Sequence, residues 1–327
     1  MRFPIIKHAR AWVLTSFVIM GLCFWVFSAY MRLSIEFTGG LRTVVSAPEI
    51  SQSTITSIEQ ALTQKGVTDA VVSAGKKDNF GSLLVQMSFS GDEQIEMVTS
   101  TVEELLISTQ TISGKEDILE LAVIGPSIGE YMKRSAKYAI GFGLILIAIY
   151  ILFSFSEMRT FVSPALLGGV TVLTLLFDVA SAAGGYGILM MFNHAVQVDA
   201  VFIIALLTVM GYSINDTIII LDRVRENFIE KKQAVEKGTL TYADIFETSL
   251  WQTMRRSLAT SLNTLAMILF MYMFGTGVLR LFAFTMGVGI IGGTFSSIFF
   301  AAPLSYLISN YFHKQATHTP QKHAKHK

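Results

Sequence analysis

One cysteine in 327 residues leaves no partner for an intramolecular disulfide, and Cys23 itself lies in an apolar run. Charge is scarce as well, at 15% of the chain, with 25 basic side chains against 24 acidic. A net charge of +1 provides no basic excess to neutralise a phosphate backbone, so nucleic acid is excluded as an expected partner. No Cys/His cluster has the spacing of metal ligands, and neither a metal nor a cofactor is expected. Also missing are a G-x-x-x-x-G-K-[ST] loop to hold phosphates, a nucleophile elbow, an H-E-x-x-H pair and paired external carboxylates in a convincing setting. The chain therefore does not read as an enzyme, and its energy source, if it has one, is a transmembrane ion gradient.

What is abundant is apolar surface. Hydrophobic residues make up 52% of the sequence and the mean hydropathy is +0.53, values of an integral membrane protein. A spanning helix needs about 20 mostly apolar residues, and six stretches have that length, at roughly 11–30, 138–156, 161–183, 198–221, 257–275 and 281–308. The first follows "MRFPIIKHAR" and lacks a clear A-x-A cleavage site, which favours a retained anchor over a signal peptide. With the N-terminus inside, the cytoplasmic pieces collect Arg2, Lys7, Arg10, Arg159, Arg223, Arg225, Lys231, Lys232, Lys237, Arg255 and Arg256, while the short outer loops hold Arg280. Both termini are accordingly placed in the cytoplasm.

The division that follows is a cytoplasmic N-terminus and first span at 1–30, an outer segment at 31–137, and a five-helix region at 138–308 with a cytoplasmic loop at 222–256. A disordered basic tail is expected at 309–327. In the outer segment "EFTGGLRTVVSA" reads as a strand, and "SQSTITSIEQALTQKG" as a helix opened by Ser/Thr caps and closed at Gly66. "DAVVSAGKKDNFGSLLVQMSF" reads as two strands, "GDEQIEMVTSTVEELLIS" as a second helix and "ILELAVIG" as a last strand. That βαββαβ order predicts a small periplasmic α+β ferredoxin-like domain on an α-helical polytopic membrane protein with six transmembrane helices. In the cytoplasmic loop, "YADIFETSLWQTM" is amphipathic and is read as a surface-lying helix leading into the fifth span, with docking on a partner as the alternative.

Two intramembrane acids need a reason to be there. A charge at the centre of a spanning helix costs about 2.5–3.5 kcal/mol on insertion scales, so Asp216 in "VMGYSINDTIII" has to face other helices, water or a partner. Asn215 and Thr217 flank it. One span later, Arg256, Thr260, Asn263 and Thr264 fall at i, i+4, i+7 and i+8 and predict a polar stripe opposite Asp216, with Arg255 turned away by about 100°. An Asp and an Arg in apolar surroundings can be poised to take and release protons. Asp178 in "TLLFDVAS" is the second acid, and the sequence leaves open whether it joins the relay or is a hydrogen-bonded packing residue.

At "GYSINDTIIILDRVREN" the chain closely resembles the SecF family of the bacterial SecD/SecF protein-export accessory complex. "EFTGG", "IGPSIGEYM" and "SLWQTMRRSLATSLNTL" agree in the same order and spacing. The resemblance implies a six-helix unit of the resistance-nodulation-division superfamily in the bacterial inner membrane, paired with SecD beside the SecYEG translocon. YajC, YidC, the translocating polypeptide and inner-membrane lipid are the further partners. It implies too that proton flow through Asp216 and Arg256 drives periplasmic movements that pull on the emerging chain. Asp178 falls in the family's H-D-V stretch with Phe177 in place of the His. Glu36 stands where the family has Asp, ahead of Phe37, Thr38, Gly39 and Gly40, whose glycines suit a turn with positive φ or close backbone approach. Two rivals stay open: an exporter of small molecules or lipids from the same superfamily, and a scaffold without ion flux.

Overall fold

The structure is a computed structural model that describes residues 4–45, 50–65, 71–77, 80–86, 92–108, 110–154, 164–193 and 196–318. Six of its helices are long and apolar enough to cross a membrane: Ile6–Tyr30, Ser127–Ser154, Pro164–Phe192, Ala200–Glu230, Tyr242–Phe274 and Gly277–Phe312. The chain is thus a multi-pass membrane protein, and each expected span is present, most of them longer than the apolar run alone suggests. A turn of 3₁₀ helix at Ile6–His8 leads into α1 (Ala9–Tyr30), and a four-residue α2 (Ile35–Thr38) follows. Next come β1 (Gly40–Val45), α3 (Gln52–Gln64), β2 (Val71–Lys77), β3 (Phe80–Gln86), α4 (Asp92–Ser108) and β4 (Ile118–Ile124). The membrane region continues with α5 (Pro126–Ser154), α6 (Pro164–Phe192), α7 (Ala200–Glu230), the short α8 (Lys232–Glu236), α9 (Tyr242–Phe274), α10 (Gly277–Ser296) and α11 (Ala302–His318). A π-helical turn, Ser297–Ala301, joins α10 to α11.

In the outer unit β1 is buried along nearly its whole length, while β4 alternates over its first residues. Ser51 caps α3 by accepting from Thr54 N–H. The sheet order is β2-β3-β1-β4, all neighbours antiparallel, with Leu41 opposite both Val85 and Val123. Ile55, Ile58 and Leu62 of α3 and Val98, Val102 and Leu106 of α4 pack with Leu41, Val45, Leu83 and Val85 of the sheet into one core. The reading of "EFTGG" as the start of the strand needs correction. Ser34 accepts from Glu36 N–H and starts a helical turn instead, so the strand begins at Gly40. Gly39 (φ 77°) and Gly40 (φ 136°) then make the bend, in a region of backbone space that side chains with a Cβ avoid. Gly66, the expected end of α3, lies outside the described residues.

In the membrane, α6, α7 and α10 make the centre, with α1, α5 and α9 around them. Many exposed apolar side chains belong to this outer ring, such as Leu14 and Trp25 of α1, Phe142 and Leu146 of α5, and Leu262 and Phe270 of α9. Two expectations change at the end of the bundle that holds the chain's first residues and the start of α9. "YADIFETSLWQTM" is not a separate surface helix but the first three turns of α9, opened by a capping box of Thr241 and Asp244. Its apolar face, Ile245, Phe246 and Leu250, is buried within the chain instead of being left for a partner. Glu247 from these turns accepts from Ile5 N–H (3.1 Å), Ile6 N–H (2.7 Å) and Trp251 Nε1–H (2.8 Å), which fastens the start of the chain to α9. The last helix runs to His318, so the first part of the supposed disordered tail is helical; residues 319–327 lie outside the described residues.

Candidate functional site

Asp178 and Asp216 both sit in the buried centre, with 0% and 1% of their surface exposed. Asp178 on α6 accepts from Ser213 Oγ of α7 and from Ser296 Oγ of α10, each at 2.5 Å. Both of its oxygens therefore have a donor. Asp216 lies one turn beyond Ser213 on α7. Its Oδ2 accepts from Ser261 Oγ of α9 at 3.2 Å, and Ser261 in turn accepts from Thr294 Oγ1 of α10 at 2.8 Å. Neither its Oδ1 nor the hydroxyl of Ser257, one turn before Ser261 on the same face of α9, makes a hydrogen bond of good geometry, although the Ser257 hydroxyl lies close enough to Asp216 to interact with its carboxyl. Thr217 Oγ1 and Ser297 Oγ share a hydrogen bond of 3.1 Å.

Small residues make this centre possible. A Cβ on Gly293 would lie 2.9 Å from the Cβ and Oγ of Ser213, so α10 passes α7 at a distance only glycine permits. At the end of α10, Ser296 and Ser297 both return a hydroxyl bond to Gly293 O, at 3.0 and 2.8 Å. They also reach different helices, Ser296 to Asp178 on α6 and Ser297 to Thr217 on α7. The π turn begins there; such turns widen a helix locally and are frequent at functional sites.

The expected polar stripe on α9 is present, and among the described residues none of its members bonds to Asp216. Arg256, Asn263 and, on α7, Asn215 are exposed on the outside of this chain. Thr260 donates to the carbonyls of Arg256 (3.2 Å) and Ser257 (2.9 Å), and Thr264 to that of Thr260 (3.0 Å), so neither reaches Asp216. Among the described residues no ion pair joins Asp216 to Arg256. The stripe turned inward is Thr253, Ser257 and Ser261, all buried. Sequence reasoning missed Ser213, Ser257, Ser261, Thr294, Ser296 and Ser297; the signal available was the i, i+4 spacing of Ser257 and Ser261 and the Ser296–Ser297 pair in an apolar run. The described residues contain no group of three or more His, Cys, Asp or Glu able to hold a metal ion.

Comparison with known proteins places this geometry. Residues 103–311 match the family described as protein export membrane protein SecD/SecF, C-terminal. The chain belongs to the SecD/SecF family. It is 30% identical over 307 residues to the protein translocase subunit SecF of Rhodothermus marinus, covering 92% of each chain. With SecF of Thermodesulfovibrio yellowstonii it shares 32% identity over 295 residues, 89% of each. The SecDF subunit of Thermus thermophilus is 34% identical over 285 residues, which are 85% of this chain and 35% of that longer one. A crystal structure of SecDF from Thermus, described as a translocon-associated membrane protein, superposes on 95% of this chain with a TM-score of 0.74 and 30% identity, using 39% of the SecDF chain. The chain thus spans about two-fifths of the fused protein and nearly the whole of the separate SecF subunits. It is a SecF-type accessory subunit of the protein translocase, and SecF relatives bear the name of a transport component, not of an enzyme.

Proposed function

We propose that the chain works with SecD in the bacterial inner membrane, with both termini cytoplasmic, and uses the proton-motive force to promote export of polypeptides emerging from SecYEG, with YajC and YidC as neighbours. The observation that carries this reading is Asp216: a carboxyl buried in a spanning helix, with one oxygen that makes no hydrogen bond of good geometry and, among the described residues, no ion pair. An acid in that setting is expensive to keep and is suited to changing its proton. Relatives in which SecD and SecF are one chain support a SecD partner. So does the exposed set of Arg256, Asn215 and Asn263, polar groups inside the membrane that a second six-helix half could satisfy. In this reading Arg256 completes the relay together with that half and not by touching Asp216 in the subunit alone, while Thr217, Thr260 and Thr264 support the helix geometry.

We further infer that residues 31–137 form a periplasmic domain of ferredoxin-like type; the strand order with β1 and β3 central and two helices packed on the sheet supports it. Asp216→Asn tests the function. Asn is nearly isosteric and keeps hydrogen-bonding capacity, yet it cannot exchange a proton at physiological pH. In vesicles containing the chain with SecD, gradient-dependent stimulation of export is expected to vanish while insertion and SecD binding persist. Export that responds to the gradient at the parental rate overturns the relay.

A further inference from the structure

The link between α1 and the outer unit is stitched to the turn between α6 and α7, the two helices that carry Asp178 and Asp216. Val198 N–H donates to Arg32 O at 2.7 Å and Ser34 N–H donates to Val198 O at 2.9 Å, forming a parallel bridge between Leu33 and Val198. Side chains four residues apart then engage the two helix ends. The Arg32 guanidinium donates to Met190 O and, at 3.2 Å, to Asn193 O, at the C-terminus of α6. The Glu36 carboxylate accepts from Ala200 N–H at 2.7 Å, at the N-terminus of α7. A cation at a helix C-terminus and an anion at a helix N-terminus are each the favoured sign there. Phe37 is buried among Ala182, Tyr186, Val198 and Phe202, so the link is packed as well as hydrogen-bonded.

On its other side the link has no slack. Four residues after Glu36 the chain enters β1, which is paired on both edges, by β3 and β4. The opposite connection of the outer unit runs from β4 into α5, and Gly129 of α5 presses on the same link: a Cβ there would lie 2.9 Å from Phe37 O and 3.1 Å from Gly39 N. Both attachments of the outer unit therefore meet over the outer ends of the two acid-bearing helices.

We propose that residues 32–40 are a coupling elbow, in which Arg32 and Glu36 are positioning residues that tie displacement of the outer unit to the relative position of α6 and α7. This rests on the reading of Asp216 as the group that changes its proton. A shift of α7 against α6 changes the spacing of Met190 O and Ala200 N, which the elbow spans, and the central strand follows.

The test uses the chain with SecD in proteoliposomes, in a Cys23→Ala background, with spin labels at exposed Ser53 of α3 and exposed Phe192 at the outer end of α6. The distance between labels is measured by electron–electron double resonance with and without an imposed pH gradient, alongside proton flux. The parent is expected to shift its distance distribution with the gradient. In Glu36→Gln flux persists while the gradient-dependent shift falls about fivefold or more, the scale of a typical coupling between sites. Glu36→Asp, which keeps the charge on a shorter arm, is expected to restore part of the shift, and it serves as the reading if the Gln variant does not accumulate. A parent that shows no shift, or a Glu36→Gln that keeps all of it, overturns the elbow. A shift that survives Asp216→Asn overturns the relay reading instead.

Discussion

Asp178 and Asp216 are the same side chain, buried alike in the same bundle, yet their surroundings differ in kind. Asp178 receives a serine hydroxyl on each oxygen, from two different helices, at 2.5 Å. Asp216 receives one, at 3.2 Å, and its other oxygen has none. Asp178 is thus the knot that holds α6, α7 and α10 together. Asp216 is held loosely, with the Ser257 hydroxyl close to its carboxyl but not in a hydrogen bond of good geometry. A buried polar atom without a partner costs about 1–3 kcal/mol. Asp216 Oδ1 and Ser257 Oγ are two such atoms, and their cost supports the relay proposed for Asp216. On the ground of its two serine bonds we propose the packing role for Asp178, a choice the sequence left open.

Removing each carboxyl separates the two roles most sharply. Asp178→Ala strips the acceptors from Ser213 and Ser296, and about 2 kcal/mol of stability is expected to go with them; Ser296 retains Gly293 O, which limits the loss. Asp216→Ala removes one weak bond and a buried charge, so its cost is expected to stay below about 1 kcal/mol while gradient-driven export is lost. Denaturation midpoints of the full-length variants in detergent check both. Equal destabilisation by the two substitutions breaks the comparison.

The packing around Asp178 offers a second test, of smaller size. A methyl group on Gly293 meets Ser213 at 2.9 Å, so Gly293→Ala has to displace the serine that donates to Asp178. Overpacking of this kind costs about 1–3 kcal/mol. Gly169→Ala, on the same helix as Asp178 but with nothing within 4 Å of the added atom, is the control and is expected to be neutral. If the two alanines behave alike, the close approach of α10 to α7 is not what holds the knot.

The parts of the molecule that obey one-dimensional rules were legible in the sequence. Six spans follow from apolar length, because lipid leaves the backbone no alternative to helix. The strands and helices of the outer unit follow from short β-rich runs bounded by turn residues and from caps such as Ser51. What could not be read was direction around a helix. Arg256, Thr260, Asn263 and Thr264 made the more polar stripe, and polarity suggested it faced Asp216. The structure turns the smaller hydroxyls, Ser257 and Ser261, inward, because close helix packing selects small side chains, and leaves the long Arg256 outside. Glu36 was illegible for another reason. Its partner, Ala200 N–H, is 164 residues away, and nothing local distinguishes an acid that closes a turn from one that reaches a distant helix end.

Asp199 places a third carboxyl between those two extremes, and it gives the smallest effect. It caps α7 by accepting from Phe202 N–H at 2.8 Å, just outside the membrane-spanning segment. Burial raises its pKa above the ordinary Asp range, and the nearby charge of Glu36 adds to the rise; the bond from Phe202 N–H and the charge of Arg42 act the other way without cancelling it. The Tyr186 hydroxyl, also close, donates to Gln197 O and not to Asp199. With a raised pKa the folded protein holds the proton more tightly than the unfolded chain. The stabilising contribution is therefore complete below the unfolded value, about 3.9, and is lost as the pH climbs through the folded one. Asn offers the same cap oxygen and never ionises. The charge it gives up at the helix N-terminus is still supplied by Glu36 on Ala200. Asp199→Asn is accordingly expected to raise the unfolding midpoint slightly at pH 7, with a gain that shrinks towards pH 4 and disappears below it. A variant less stable than the parent at pH 7 means that the ionised cap is worth more than its burial costs. In that case an acid at the edge of this bundle, unlike Asp216 at its centre, is kept for stability.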